Sequence, residues 1–252
     1  MIRALVGRID RIFFQGKVRS CLVWLFHMRR KRICSQGALA TFQLGVFSDQ
    51  LSDLFAMFGS DKGLERSPSG LPAHRYSAIY QILFRPYRNK NFCFLEIGIG
   101  TNQIGLVSNM GLEGCIGASL KAWEIYFKNA HIFAFDIDDS CQFQSSRITT
   151  GLADQTDEVL IFECMQRFGN PKFDIIIDDG LHASQANQKA FEYLRPWFSE
   201  GAIYVIEDIH IAAVDEMSEW AKKLGLDFCF YLSEQWNDEN SNLMVIYPEG
   251  DL

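Results

Sequence analysis

The chain has 252 residues, 48% hydrophobic and 22% charged, the proportions of an ordinary globular protein with room for one full α/β domain and an extension of some tens of residues. The formal net charge is −7, but residues 1–32 hold nine of the 24 bases and one of the 31 acids, so the other 220 residues carry twice as many acids as bases; so acidic a body excludes broad nucleic-acid binding, which needs a basic face against phosphate. Seven cysteines, none in a C-x-x-C pair and several inside apolar runs (Cys93, Cys164, Cys229), read as reduced thiols of a cytoplasmic protein and exclude a disulfide frame or zinc site.

Residues 1–47 read as a basic N-terminal extension, helical over 1–40, ahead of a domain at 48–252. The apolar run Cys21–Met28 is too short for a bilayer, which takes about 20 apolar residues. Arg29-Arg-Lys-Arg32 stands where a signal peptide needs small residues. A helix docked on the domain or on a partner subunit accounts for this segment; the alternative is peripheral contact of residues 1–32 with an anionic membrane surface.

Helical spacing after Ser48 predicts a helix over 48–58, and a second is expected at 75–86. Between them, Gly59-Ser-Asp-Lys-Gly63 and Ser67-Pro-Ser-Gly-Leu-Pro72 read as loop. Strands are then expected at 91–97, 131–135, 173–177 and 202–206, alternating with helices at 118–127, 155–168, 183–197 and 215–224. Strands at 228–232 and 243–247 close the chain, joined by a polar loop too short for a helical crossover and hence paired antiparallel. Such alternation builds parallel βαβ units with helices on both faces of the sheet.

Ligands of an open parallel sheet bind beyond the C-terminal strand ends. The strand at 91–97 runs into Glu96-Ile-Gly98-Ile-Gly100, where two glycines allow a tight turn and close approach of a ligand to the backbone. A dinucleotide site wants a third glycine where this chain has Gln103. Phe133-Ala-Phe-Asp136-Ile-Asp138 ends the next strand with an acid suited to ribose hydroxyls, with Asp138 or Asp139 as a helix cap. Asp154-Gln155-Thr-Asp157 precedes a helix; it supplies a cap and a side chain that could read adenine. The strands at 173–177 and 202–206 each deliver paired acids, Asp178-Asp179-Gly-Leu-His182 and Glu207-Asp208. Four neighbouring carboxylates repel unless a cation or raised pKa values relieve them, and oxygen ligands on a rigid frame suit Mg²⁺ or a similar divalent ion. His182, three residues beyond Asp179, falls at the rim of that group as a candidate general base; His210 is a weaker candidate of the same kind.

Taken in order, Glu96-Ile-Gly-Ile-Gly100, Gly117-Ala-Ser-Leu-Lys-Ala-Trp123, Phe133-Ala-Phe-Asp136, the D-D-x-x-H ending at His182, and Glu207-Asp208 resemble class I S-adenosylmethionine-dependent methyltransferases. The nearest look is that of the metal-dependent sugar O-methyltransferases of the mycinamicin and macrocin type and their cephalosporin-hydroxylase-like relatives. Gly59-Ser-Asp-Lys-Gly63, His74-Arg-Tyr76 and Tyr80 match that group too, and the resemblance runs from about residue 50 to 247. It implies a Rossmann-like, doubly wound, mostly parallel seven-stranded sheet with a C-terminal antiparallel hairpin, with S-adenosylmethionine and Mg²⁺ as cofactors. It places Glu96, Gly98 and Gly100 at the methionine end of the cofactor, Asp136 at its ribose, and Asp154 and Gln155 near adenine. Lys62 and His74 fall in a segment that closes over the cofactor pocket. The metal ligands would be Asp179, Glu207 and Asp208, the base His182, and the acceptor a hydroxyl of a sugar, glycan or glycosylated small molecule. Relatives often assemble through N-terminal segments, which implies a homo-oligomer. The loop Thr101–Gly111 is longer than in the best-known relatives. Two other readings are a nicotinamide-dependent oxidoreductase, disfavoured by Gln103 and the crowded acids, and a non-catalytic scaffold that docks on a membrane or partner.

Overall fold

The structure, a computed structural model, describes residues 38–41, 50–64, 73–233 and 239–248. Apart from 38–41, the basic N-terminal extension, with its helical and membrane-contact readings, lies outside the described residues. Among those described, no helix is long and apolar enough to cross a membrane.

In chain order the elements are β1 (Ala38–Thr41), α1 (Gln50–Phe58), α2 (Ser77–Phe84), β2 (Cys93–Ile97), α3 (Ala118–Tyr126), β3 (His131–Asp136), β4 (Ile148–Leu152), α4 (Glu158–Arg167), β5 (Phe173–Asp178), α5 (Ser184–Leu194), β6 (Phe198–Ile206), α6 (Val214–Lys223), β7 (Asp227–Leu232) and β8 (Leu243–Tyr247). The eight strands form one sheet in the order β1-β7-β8-β6-β5-β2-β3-β4. Seven of them make the expected Rossmann-like sheet, parallel except that β8 runs antiparallel to both β6 and β7. The eighth, β1, lies in the stretch read as helical extension, ahead of the expected domain start at 48; it pairs parallel with β7, and so satisfies backbone groups that β7 would otherwise leave open at the sheet edge. β4 had no pattern of its own in the sequence: Ile-Thr-Thr-Gly-Leu is an edge strand with only Ile148 buried, so neither a continuous apolar run nor a clean alternation marks it.

The period of two along each central strand divides the core between two faces. Phe94, Ile132 and Ile175 pack with Leu51, Phe55, Tyr80, Phe84 and Trp123, from α1, α2 and α3. Leu95, Phe133, Ile176 and Tyr204 pack with Ile161, Met165, Phe191 and Met217, from α4, α5 and α6. Helices thus cover both faces, as parallel crossovers require.

From β2 the chain winds outward through β3 and β4, then returns to β5 on the other side of β2. The order reverses between β2 and β5, and a crevice opens there beyond the C-terminal ends. Pairing of Ile97 with both Phe135 and Asp178, and of Asp178 with Ile206, sets those ends level. The loops after β2, β5 and β6 therefore emerge side by side.

Candidate active site

At the reversal lies a cleft of about 160 Å³, open to solvent, at the switch point where ligands of α/β sheets bind. Its wall includes Gly98, Gly100, Asp136, Asp154, Gln155 and Asp179, so six of the residues singled out from sequence meet around one space. Gly98 has φ +91° and Gly100 φ +91°, a region that side chains with a Cβ rarely adopt. At Gly98 a Cβ would stand 2.2 Å from the carbonyl oxygen of Asp179, so the two loops touch backbone to backbone.

Asp136 also has a structural task. Its Oδ2 accepts from the N–H groups of Ile99 at 2.7 Å and Gly100 at 3.3 Å, and Oδ1 accepts from Asp138 N–H at 3.0 Å. It braces the glycine turn from inside the cleft. Asp138 caps the short turn at 139–141, as expected, by accepting from Ser140 N–H at 2.9 Å. It also accepts from the hydroxyl of Thr101 and, at 2.9 Å, from Gln103 Nε2; the Thr101 bond, with those from Ser140, holds its carboxyl below the usual carboxylate range. Asp154 accepts from Thr156 N–H at 2.8 Å, and Asp157 caps α4 through Val159 and Leu160 N–H.

Glu96, Lys62 and His74 do not line this cleft. Glu96 alternates with Leu95 and Ile97, so it points to the opposite face of the sheet, where its Oε2 accepts from Trp123 Nε1 at 2.8 Å. Its Oε1 is buried without a hydrogen-bond partner among the described residues, 3.8 Å from Lys62 Nζ. Burial pushes the Glu96 carboxyl up to about 7, against the pull of Lys62. Lys62 is 2% exposed, and its ammonium donates to Asp179 Oδ2 at 2.5 Å and Glu207 Oε2 at 2.5 Å. Burial opposes that charge, but Asp179, Glu207 and Glu96 outweigh it and hold the lysine protonated.

The four acids at the ends of β5 and β6 separate into three environments. Asp178 is fully buried and accepts from Asn187 Nδ2 at 3.0 Å, Tyr204 Oη at 3.2 Å and Gln155 Nε2 at 3.2 Å. Glu207 is 1% exposed and is taken up by Lys62 and by the hydroxyl of Tyr80; burial and the charge of Asp179 push its carboxyl well up. Asp179 and Asp208 face His182, whose Nε2 is 4.0 Å from Asp179 Oδ1 and 3.7 Å from Asp208 Oδ2. These three residues offer ligand atoms within 4.8 Å of one another. His182 has φ +56° and Asp208 φ +53°, a strained backbone of the kind that collects at functional sites. Among the described residues, His182 Nδ1 is buried without a hydrogen-bond partner.

Two carboxylates facing one point, with sides open to solvent and an imidazole beside them, fit a hard divalent cation that keeps water or substrate oxygens in its shell. On the far side, His74 Nδ1 lies 2.7 Å from Asp208 Oδ1, which also accepts from Tyr76 Oη at 2.5 Å. Burial disfavours the His74 cation, but the bond to Asp208 and the charges of Asp208 and Asp61 lift its pKa to about 9. His210 stands apart, 3.1 Å from Glu239 on the surface. Tyr76, Tyr80 and Asp178 had no assigned role in the sequence. The family pattern included both tyrosines without saying what they do, and aromatic spacing alone reads equally as core.

A mostly parallel sheet with this hairpin, glycine turn and strand-end acids is the fold of a class I methyltransferase. The match to the solved methyltransferase MycE of mycinamycin biosynthesis, in complex with Mg, SAH and mycinamycin VI, has a TM-score of 0.58 at 24% identity and covers 81% of this chain and 56% of that one. By sequence the chain is related to the sugar O-methyltransferases of macrolide and tetracenomycin type. It is 37% identical over 188 residues to demethylmacrocin O-methyltransferase of Streptomyces fradiae, a match that covers 74% of this chain and 43% of that one. It is 34% identical over 139 residues to mycinamicin VI 2''-O-methyltransferase of Micromonospora griseorubida, covering 55% of this chain and 32% of that one. The chain thus spans less than half the length of these curated relatives. No family model matches it.

Proposed function

We propose that this chain is an S-adenosylmethionine-dependent, divalent-cation-assisted O-methyltransferase acting on a sugar hydroxyl of a glycosylated small molecule. One observation carries the reading: Asp179 belongs both to the wall of the cleft and to the Asp179–His182–Asp208 group, so a cofactor site and a cation site share an edge. When bound there, S-adenosylmethionine supplies the methyl electrophile, and a divalent ion supplies the Lewis acidity that gathers and acidifies neighbouring hydroxyls.

The protein's own residues do the rest. Gly98 and Gly100 let the cofactor approach the backbone, Asp136 stands at the ribose position, and Asp154 and Gln155 form the adenine end of the wall. Asp179 and Asp208 hold the cation, with Glu207 behind them, and His182 Nε2 takes the proton of the acceptor hydroxyl. Lys62 and Tyr80 fix Glu207, and His74 and Tyr76 fix Asp208, so the carboxylates are oriented before any ligand arrives. The relatives' named acceptors, macrocin and mycinamicin types, support the glycoside class. The nicotinamide reading lacks its third glycine: Gln103 stands there, bonded to Asp138.

The test is transfer of labelled methyl from S-adenosylmethionine to a panel of glycosylated polyketides with Mg²⁺ or with EDTA. Transfer to a glycoside that EDTA and Asp179→Ala both abolish is expected. Undiminished transfer in EDTA would rule out the cation, and S-adenosylhomocysteine binding without transfer to any glycoside would rule out the acceptor class.

A further inference from the structure

Gln155 occupies a junction. It is 7% exposed, yet it forms part of the cleft wall between Asp154 and Thr156. Both ends of its amide are engaged, by the end of β5 and by the loop after it: Nε2 donates to Asp178 Oδ1 at 3.2 Å, and Oε1 accepts from Leu181 N–H at 2.6 Å. The loop passes so near that a Cβ on Gly180 would stand 1.9 Å from that Oε1. Asp178 is itself fixed by Asn187 and Tyr204, so the amide is pinned to a rigid floor. The same loop carries Asp179, a donor to the cation, and His182, the base beside it, with His182 at φ +56°. A loop so strained holds its shape only if its surroundings over-determine it. One side chain is therefore both a wall of the cleft and a tie on the loop that presents the cation donors.

We infer that Gln155 is a positioning residue that couples occupation of the cleft to divalent-cation binding, so that each ligand tightens the other. The inference rests on the methyltransferase reading above. A ligand packed against residues 153–156 restricts Gln155. Gln155 in turn holds Leu181 N–H, and the freedom that Asp179 and its loop lose on binding a cation is then already removed. Coupling of this kind is reciprocal in free energy and typically amounts to about 5–150-fold in affinity.

Isothermal titration of the full chain with S-adenosylhomocysteine, with and without Mg²⁺, and with Mg²⁺, with and without S-adenosylhomocysteine, reads the coupling directly. In the unaltered protein each ligand should raise the affinity of the other by about 5-fold or more. Gln155→Met, of similar length but lacking both hydrogen bonds, should bring that ratio to about 1, whatever its own affinity for either ligand. A residue with a purely structural role would lower affinities and leave the ratio unmoved. If Gln155→Met does not fold, Gln155→Glu serves: it keeps an acceptor for Leu181 N–H but sets a carboxylate against Asp178, and its ratio should fall below that of the unaltered protein. A ratio of 1 in the unaltered protein, or an unchanged ratio in the variants, overturns the inference alone. Failure of the unaltered protein to bind S-adenosylhomocysteine overturns the methyltransferase reading and this inference with it.

Discussion

Gly98→Ala should damage both the fold and the cofactor site, by an amount that follows from two features of one residue. Gly98 has φ +91°, and holding a residue with a Cβ in such a region costs about 1–3 kcal/mol. The new methyl would also stand 2.2 Å from Asp179 O, where contacts of 3.4 Å or more are ordinary. The obstacle is backbone, so no flexible side chain can swing aside, and the loop carrying Asp179 must retreat by about 1 Å. In a protein of this size each kcal/mol shifts Tm by about 2–4 °C, so strain alone lowers Tm by roughly 2–12 °C. A displacement of about 1 Å in a positioned catalytic group can cost on the order of 100-fold in rate, and here the displaced group borders both ligand sites. The control is Gly105→Ala in the neighbouring loop, where a Cβ meets nothing within 4 Å; it should be neutral or slightly stabilising. Thermal melts of both variants, with titration of S-adenosylhomocysteine, give the comparison. A Gly98→Ala protein with unaltered Tm and unaltered binding would show that the two loops do not meet as described.

Further outcomes follow from the same geometry. His182→Ala should lower turnover by about 10²–10⁴-fold while titration still detects the cofactor; unchanged turnover removes His182 from proton transfer. Glu96 has its carboxyl raised from 4.5 to about 7 by burial, so the folded state favours its neutral form, and the destabilisation sets in as pH rises from 4.5 through about 7. Glu96→Gln keeps an acceptor for Trp123 Nε1 and should stabilise the protein above pH 7 relative to pH 4.5, by on the order of 3 kcal/mol at most; a pH-independent difference in urea melts would contradict this. Among the described cysteines, Cys115 is exposed, whereas Cys141 and Cys164 are buried with thiols pushed up to about 12 and about 11 by desolvation. A neutral thiol reagent should modify Cys115 in the native protein and reach the other two only on unfolding, with peptide mapping as the measure.

The parts of the site that were legible in the sequence lie at strand ends. An apolar run that stops in Gly98, Asp136 or Asp179 announces where the side chains leave the sheet, and topology places such ends on one edge. Equally legible was the hairpin of β7 and β8, because the connection is too short for a helix. Lys62 was not. It sits in a turn 117 residues from Asp179 and 145 from Glu207, and nothing local in Gly-Ser-Asp-Lys-Gly says which groups its ammonium will meet. Glu96 shows a different limit. Its motif suggested the cofactor, but alternation along β2 carries the side chain to the face of Trp123, away from the cleft. β4, an outer strand, escaped because its residues lack the continuous apolar pattern that burial on both faces imposes, and β1 escaped because its four residues stood inside the stretch read as a helical extension.

Crowded carboxylates at the ends of β5 and β6 require relief, and the structure shows how the relief is distributed. Asp178 is neutralised in effect by amide and hydroxyl donors, and Glu207 by the Lys62 ammonium and the Tyr80 hydroxyl. Lys62 is thus a fixed cation already resident among the acids, shared by Asp179 through Oδ2 only. On Asp208, His74 and Tyr76 both occupy Oδ1. Among the described residues, two oxygens remain without such partners, Asp179 Oδ1 and Asp208 Oδ2, and these are the two that face His182 Nε2 at 4.0 Å and 3.7 Å. At the ends of β5 and β6, the protein's own cations, hydroxyls and amides therefore engage the inward carboxylate oxygens and leave uncommitted the pair that points at the histidine. A site built only for stability would have spread its counter-charges over all of them.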